Sequence, residues 1–172
     1  DALSSMSVCA GYKGILMAAN DIAKFMPMVG SAVGVLKPST VFVIGTGVAG
    51  LRAVATAKSM GAVVYSADIR PEANEQAMSL GAKIIDTGIP AEIGVAPDGK
   101  HANKLSEEWL KIERDHFKDI VSKADIIFCS ALLFGQLAPI LLTEEMVKLM
   151  KPGSCIVDIS IDQGGNCEIT SP

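Results

Sequence analysis

Gly45, Gly47, Gly50 and Asp68 are the residues of this chain whose types and spacing could do chemistry. The glycines stand as Gly45-Thr46-Gly47-Val48-Ala49-Gly50, the GxGxxG pattern, directly after the β-branched and aromatic run Val41-Phe42-Val43-Ile44. Each has a separate task. Gly45 permits a tight turn, Gly47 lets the backbone approach a pyrophosphate, and Gly50 lets a helix pack closely against the strand before it. The free N–H groups of that helix's first turn, at the positive end of its macrodipole, hold a pyrophosphate without any basic side chain. Asp68 falls eighteen residues after Gly50, at the tip of a second strand, where an acid accepts both ribose hydroxyls of an adenosine. Its charge repels a 2′-phosphate, so the unit favours NAD(H) over NADP(H). Arg70, two residues on, is the neighbour that works against this preference.

The elements around this unit can be read in order. Met6 to Phe25 carries Val8, Tyr12, Ile15, Leu16, Ala19, Ile22 and Phe25 at helical spacing, which predicts a long amphipathic helix covering the sheet. Pro27, Gly30, Gly34 and Pro38 make a breaker-rich connector or hinge into the first strand. Residues 1–40 are thus a helix and connector, and residues 41–172 the nucleotide-binding unit. After Asp68, Pro71 opens a helix to about Leu80, Gly81 ends it, and Ala82 to Asp86 is a short third strand. Thr87 to Leu105 has many glycines and prolines and no steady period, and its length points to a mobile or functional loop. Ser106 caps a helix to about Lys123, Asp125 to Ser130 is strand four, Thr143 caps a short helix, and Ser154 to Asp158 is strand five. Strands alternating with helices imply right-handed crossovers and an α/β, doubly wound parallel sheet of the Rossmann type, order 3-2-1-4-5. Ala131 and Leu132 follow strand four at the carboxyl edge, where such sheets bind ligands.

Composition narrows the function classes. The 172 residues, 49% hydrophobic and 20% charged, suit one globular domain. A net charge of −4 and the lack of a dense basic run give no attraction to nucleic acid. Cys9, Cys129, Cys155 and Cys167 are scattered without a CxxC and read as reduced core thiols. No apolar run reaches the roughly 18 residues needed to span a bilayer, so the segment reads as soluble by itself. His101 and His116 read as surface or capping residues, no carboxylate cluster near them has metal-ligand spacing, and no serine sits in a GxSxG elbow.

The chain resembles the NAD(H)-binding domain of the proton-translocating NAD(P) transhydrogenases, a family related to alanine dehydrogenase. Four stretches carry the resemblance: Met6-Ser7 with Ala10-Gly11-Tyr12, the turn from Ile44 to Leu51, Leu142 to Asp158, and Gly164 to Cys167. The long insertion before Asp125 is similar to transhydrogenase and longer than the connection in alanine dehydrogenase. The resemblance implies hydride transfer from NADH here to NADP+ in a separate domain, coupled through a membrane domain to proton movement. It implies a soluble domain at an inner membrane, on the mitochondrial matrix or bacterial cytoplasmic side, a homodimer, and a chain that binds NADH without turnover by itself. By the same resemblance Gly45, Gly47, Val48 and Gly50 line the phosphates, with Ala49 in the same turn. Asp68, Ile69 and Arg70 match the adenosine ribose segment, and Leu132 matches a contact beyond strand four, with Ala131 beside it. The long loop resembles one that closes over nucleotide, with Lys100-His101 where the family has Gly-Tyr, and Phe134 replaces a usual proline. Asp162-Gln163-Gly164-Gly165 is similar to alanine dehydrogenase, where an acid at the position of Asp162 is catalytic. An alanine dehydrogenase and a non-enzymatic NAD(H)-sensing module are therefore the alternative readings.

Overall fold

The computed structural model describes residues 2–172. It is built on α1 (Ala2–Asp21), β1 (Val29–Ser31), β2 (Gly34–Leu36), β3 (Thr40–Ile44), α2 (Val48–Ser59), β4 (Val63–Ala67), α3 (Pro71–Ser79) and β5 (Lys83–Ile84). There follow α4 (Ala91–Gly94), α5 (Glu107–Lys123), β6 (Ile126–Cys129), α6 (Glu144–Val147), β7 (Cys155–Asp158) and a 3-10 turn (Ile161–Gln163). Five of the strands form one parallel sheet in the order β5-β4-β3-β6-β7, the 3-2-1-4-5 arrangement expected from the sequence.

β3 is central because both of its faces are apolar. Val41, Phe42, Val43 and Ile44 are all essentially inaccessible. Val41 and Val43 face a core shared with α1, α2, Val64 and Phe128. Phe42 and Ile44 face the opposite core, with Phe117, Ile120 and Val121 of α5 and Leu142 and Met146 beyond it. The rings of Phe42 and Phe117 meet edge to face at 5.2 Å, which fixes α5 across the sheet.

α1 departs from the predicted helix in span and in face. It ends at Asp21, and Tyr12 and Phe25, expected on the apolar side, are exposed. The inward side is made of Gly11, Gly14, Ile15 and Ala18. A Cβ at Gly11 would stand 2.3 Å from the carbonyl oxygen of Ala49, and one at Gly14 would stand 2.7 Å from the ring of Phe128. Closeness of approach, which periodicity of large apolar residues does not register, therefore sets this face.

The connector is a second correction. Residues expected to be a hinge instead pair as an antiparallel ribbon, with Val29 opposite Leu36 and Ser31 opposite Gly34. Its strands have three residues each and carry glycine, so alternation is too short to read. Asp125 ties the ends of this region to the sheet, accepting from the Thr40 amide at 2.8 Å and from Lys24 Nζ at 3.0 Å.

Candidate functional site

The glycine turn lies where β3 ends, between strands that diverge to β4 on one side and β6 on the other. Gly45 has φ +84°, a region that favours glycine, and its amide donates to the Ala67 carbonyl at 2.9 Å. Ser130, at the end of β6, donates its hydroxyl to the Gly45 carbonyl at 2.7 Å. A Cβ at Gly50 would stand 1.9 Å from that same oxygen, so α2 begins as close to the turn as backbone allows. Gly47 is the N-cap, and it makes no side-chain cap to the first turn. Nothing lies within 4 Å of the place a Gly47 Cβ would take. No side chain therefore covers the start of α2 at Gly47, which leaves room for an anion at the helix N-terminus, the geometry of a cradle.

Asp68 follows β4 and is 8% exposed. One of its carboxylate oxygens accepts from the Thr46 amide at 2.8 Å and from Arg70 Nη2 at 2.8 Å. The other accepts from the Arg70 amide and Nε, both at 2.9 Å. Asn74 clasps the Asp68 backbone from the first turn of α3, donating to its carbonyl and accepting from its amide. The Asp68 carboxylate thus binds the glycine turn and Arg70 at once, and it holds the Arg70 guanidinium pKa above its ordinary value against the opposing effect of burial. A ribose diol reaching both carboxylate oxygens must displace the guanidinium.

These groups line one cleft of about 700 Å³. Of the residues singled out from the sequence, Gly45, Gly47, Val48, Ala49, Gly50, Asp68, Ile69, Arg70, His101, Ala131 and Leu132 all face it. Lys100 does not line it, although its carbonyl accepts from Arg70 Nη1 at 3.4 Å. Asp162 is exposed on the 3-10 turn and also lies outside the lining. The long loop is folded: it contains α4, a bridge between Val95 and Ala102, and Asp98 accepting from the Lys100 and His101 amides. The His101 ring, hydrogen-bonded to Asp98, holds that carboxyl well below its ordinary range. The same ring packs on Phe134 with centroids 5.8 Å apart, joining the loop to the segment after β6. Phe134 is otherwise 87% exposed.

That segment is fastened from beneath by Asn166, which is fully buried. Its side chain accepts from the Ala131 amide at 2.9 Å and from Ser160 Oγ at 2.9 Å, and donates to the carbonyls of Ala131 and Pro139 at 2.8 and 2.9 Å. Asp158, at the end of β7, in turn accepts from the Asn166 and Cys167 amides and from Thr170. Every polar atom of the Asn166 side chain is satisfied, which fixes the wall carrying Ala131 and Leu132.

Among the cleft residues that sequence reasoning did not single out are Ser7 and Glu113. Ser7 reaches the lining from α1, a helix read as purely structural, and no local pattern announces it. Glu113 lines the cleft from α5 although only 4% exposed. A signal for it existed, since Glu113, Phe117, Ile120 and Val121 share one helical face and only the first is polar. Burial pushes the Glu113 carboxyl up to about 8, with Asp68 adding to the rise and Arg114 opposing it.

Residues 14–172 match the model of a family described as "Alanine dehydrogenase/PNT, C-terminal domain". The whole chain is similar to the NAD(P) transhydrogenase subunit alpha of Cereibacter sphaeroides, at 41% identity over 172 residues, 100% of this chain and 33% of that protein. It is also similar to the alanine dehydrogenase of Bacillus subtilis, at 34% identity over 96% of this chain and 39% of that one. Among solved structures, the transhydrogenase of Sinorhizobium meliloti superposes with a TM-score of 0.82 at 39% identity, covering 99% of this chain and 44% of that one. The chain therefore spans less than half the length of the relatives it matches.

Proposed function

Since the chain belongs to the alanine dehydrogenase/PNT C-terminal domain family, we propose that it is the NAD(H)-binding part of a proton-translocating transhydrogenase. In this reading hydride passes between NADH here and NADP+ held in a separate domain, with proton movement coupled through a membrane domain of the same complex. The observation that carries it is the glycine turn, an uncapped helix start opening into a cleft with an acid at the tip of the next strand. Similarity along the whole chain to a transhydrogenase subunit supports the choice of reaction.

A bound nicotinamide supplies the hydride chemistry. The residues of this chain bind, orient and exclude water. The first-turn N–H groups at Val48, Ala49 and Gly50 hold the pyrophosphate, and Ser130 keeps the Gly45 carbonyl turned away from it. Asp68 takes the adenosine ribose once Arg70 yields part of its fork. Ala131 and Leu132 form the far wall, held by Asn166. His101 against Phe134 draws the long loop over the mouth, so that water is kept from the transfer. Identity of 41% to a transhydrogenase subunit, against 34% to an alanine dehydrogenase, favours this reading over an alanine dehydrogenase with Asp162 as its catalytic acid.

None of the described helices is long and apolar enough to cross a membrane, which suits a domain that works beside one, on the matrix or bacterial cytoplasmic side. The ribbon of β1 and β2 exposes Val33, Val35 and Leu36, and its unpaired edges support a homodimer built through that surface.

The test uses full-length protein, comparing hydride transfer from NADH to an NADP+ analogue with NADH oxidation driven by pyruvate and ammonia. Transfer to the analogue is the expected result. Oxidation only with pyruvate and ammonia would make the protein an alanine dehydrogenase, and binding with neither activity would leave an NAD(H)-sensing module.

A further inference from the structure

Glu113 has no task in the fold. The inward face of α5 is otherwise apolar there, and a leucine would fill the place without desolvating a charge. The other buried acids are engaged: Asp68 by Thr46 and Arg70, Asp125 by Thr40 and Lys24. Glu113 makes no hydrogen bond or ion pair with the described residues, and since Ser66 Oγ is the one sealed side-chain polar atom among them left without a partner, the Glu113 oxygens reach the open cleft. Its neighbour Arg114 turns away, donating to the Ile140 carbonyl at 2.8 Å and pairing with Glu107. What the Glu113 carboxyl faces is the cleft, on the side where Asp68 stands. A buried polar group without a protein partner, aimed into a ligand-sized cavity, is a group whose partner is the ligand.

We infer that Glu113 is a further ligand-binding residue of the cleft, which together with Asp68 seats the adenosine half of the dinucleotide by hydrogen bonding. The inference rests on the proposed reading that an adenine dinucleotide occupies this cleft, since the strand-tip acid marks the adenosine end. Asp68 shares its acceptor sites with Thr46 and Arg70, so a second polar contact strengthens the hold there, and a neutral carboxyl offers an O–H donor that Asp68 lacks. The charged groups that face this region are Asp68 and Arg70 from the end of β4, His101 and Lys104 from the long loop, and Glu107 and Arg114 on α5. Arg70 and Arg114 are both held by other partners, so neither pairs directly with Glu113. With burial holding the carboxyl at about 8, it is a donor at neutral pH and an anion above that. The anion loses the donor and places a second negative charge near Asp68, which weakens the hold on the ribose.

The experiment titrates full-length protein with NADH and with NADPH, followed by nucleotide fluorescence, at pH 7 and pH 9.5. Glu113→Gln keeps shape and donor, and Glu113→Leu removes both. Wild type should bind NADH about 3- to 10-fold more weakly at pH 9.5 than at pH 7, the scale of one hydrogen bond, whereas Glu113→Gln should change little. Glu113→Leu, shown folded by circular dichroism, should bind NADH about 3- to 10-fold more weakly at both pH values. The ratio of NADPH to NADH dissociation constants at pH 7 should stay the same in Glu113→Gln, since both side chains offer an uncharged donor there. Variants with the affinity and pH profile of wild type would overturn the role of Glu113 while leaving the cofactor reading intact. Absence of NADH binding by wild type would instead remove the reading on which the inference stands.

Discussion

Replacing Glu113 with glutamine should stabilise the fold by an amount that grows with pH. The carboxyl is held at about 8 in the folded chain against an ordinary value of 4.5, so between these values the folded state keeps a proton that the unfolded chain has released. Stability must then fall as pH rises across that window, by about 1.4 kcal/mol per unit for this one group. The loss is absent below pH 4.5 and complete above pH 8, where it reaches up to about 5 kcal/mol. Glutamine fills nearly the same volume and carries no titrating proton, so it escapes the loss. Urea unfolding of wild type and Glu113→Gln at one-unit steps from pH 5 to pH 9 gives the difference directly. It should be under about 1 kcal/mol at pH 5, climb with pH, and level off past pH 8. A difference that stays flat across the range would mean that Glu113 is ionised and solvated in the folded protein, and the account of an unpartnered buried carboxyl would be wrong.

Asp68→Asn should weaken NADH binding by about 1.5–3 kcal/mol, the worth of hydrogen bonds to a charged group, and unchanged affinity in titration calorimetry would refute the placing of the ribose. Gly50→Ala forces a methyl to within 1.9 Å of the Gly45 carbonyl oxygen. It should lower stability by about 1–3 kcal/mol and abolish NADH binding, which thermal unfolding and a fluorescence titration would read together. Asn166→Ala leaves the Ala131 amide and the carbonyls of Ala131 and Pro139 without their partner. A loss of about 3–5 kcal/mol in urea unfolding is expected, and wild-type stability would show that water replaces the amide at no cost.

The sheet order and the glycine turn were legible because each rests on a local rule. A β-branched run buried on both faces reads as a central strand, and GxGxxG with a spaced acid reads as turn, helix and second strand tip. Caps were legible for the same reason: Ser106 and Thr143 accept from Trp109 and Met146 as their positions require. The inward face of α1 was not, since Gly11 and Gly14 are selected by what crosses them rather than by their own period. The β1–β2 ribbon escaped because strands of three residues, nearly all exposed, leave no alternation to detect. Within the site, the state of Asp68 was hidden: spacing located the acid but could not say that Thr46 and Arg70 already hold it. Glu113 was visible in the pattern of α5 as a polar residue on an apolar face, although only the fold tells which cavity it meets.

Asn166 ties the last wall of the cleft to a residue made well after the rest of it, 35 positions beyond Ala131, which it holds. During synthesis the glycine turn, Asp68 and the long loop all leave the ribosome before this fastening exists. The nascent chain can therefore form β3, α2 and β4 and still present an open, unsupported edge after β6, with apolar Leu132 and Phe134 unrestrained. Ligand cannot act as an early template for such a chain, because the surface it needs is finished last. On the proposed reading, association with nucleotide reports completed translation of this region, and a chain truncated before Asn166 should be sent to chaperones or proteases rather than rescued by cofactor.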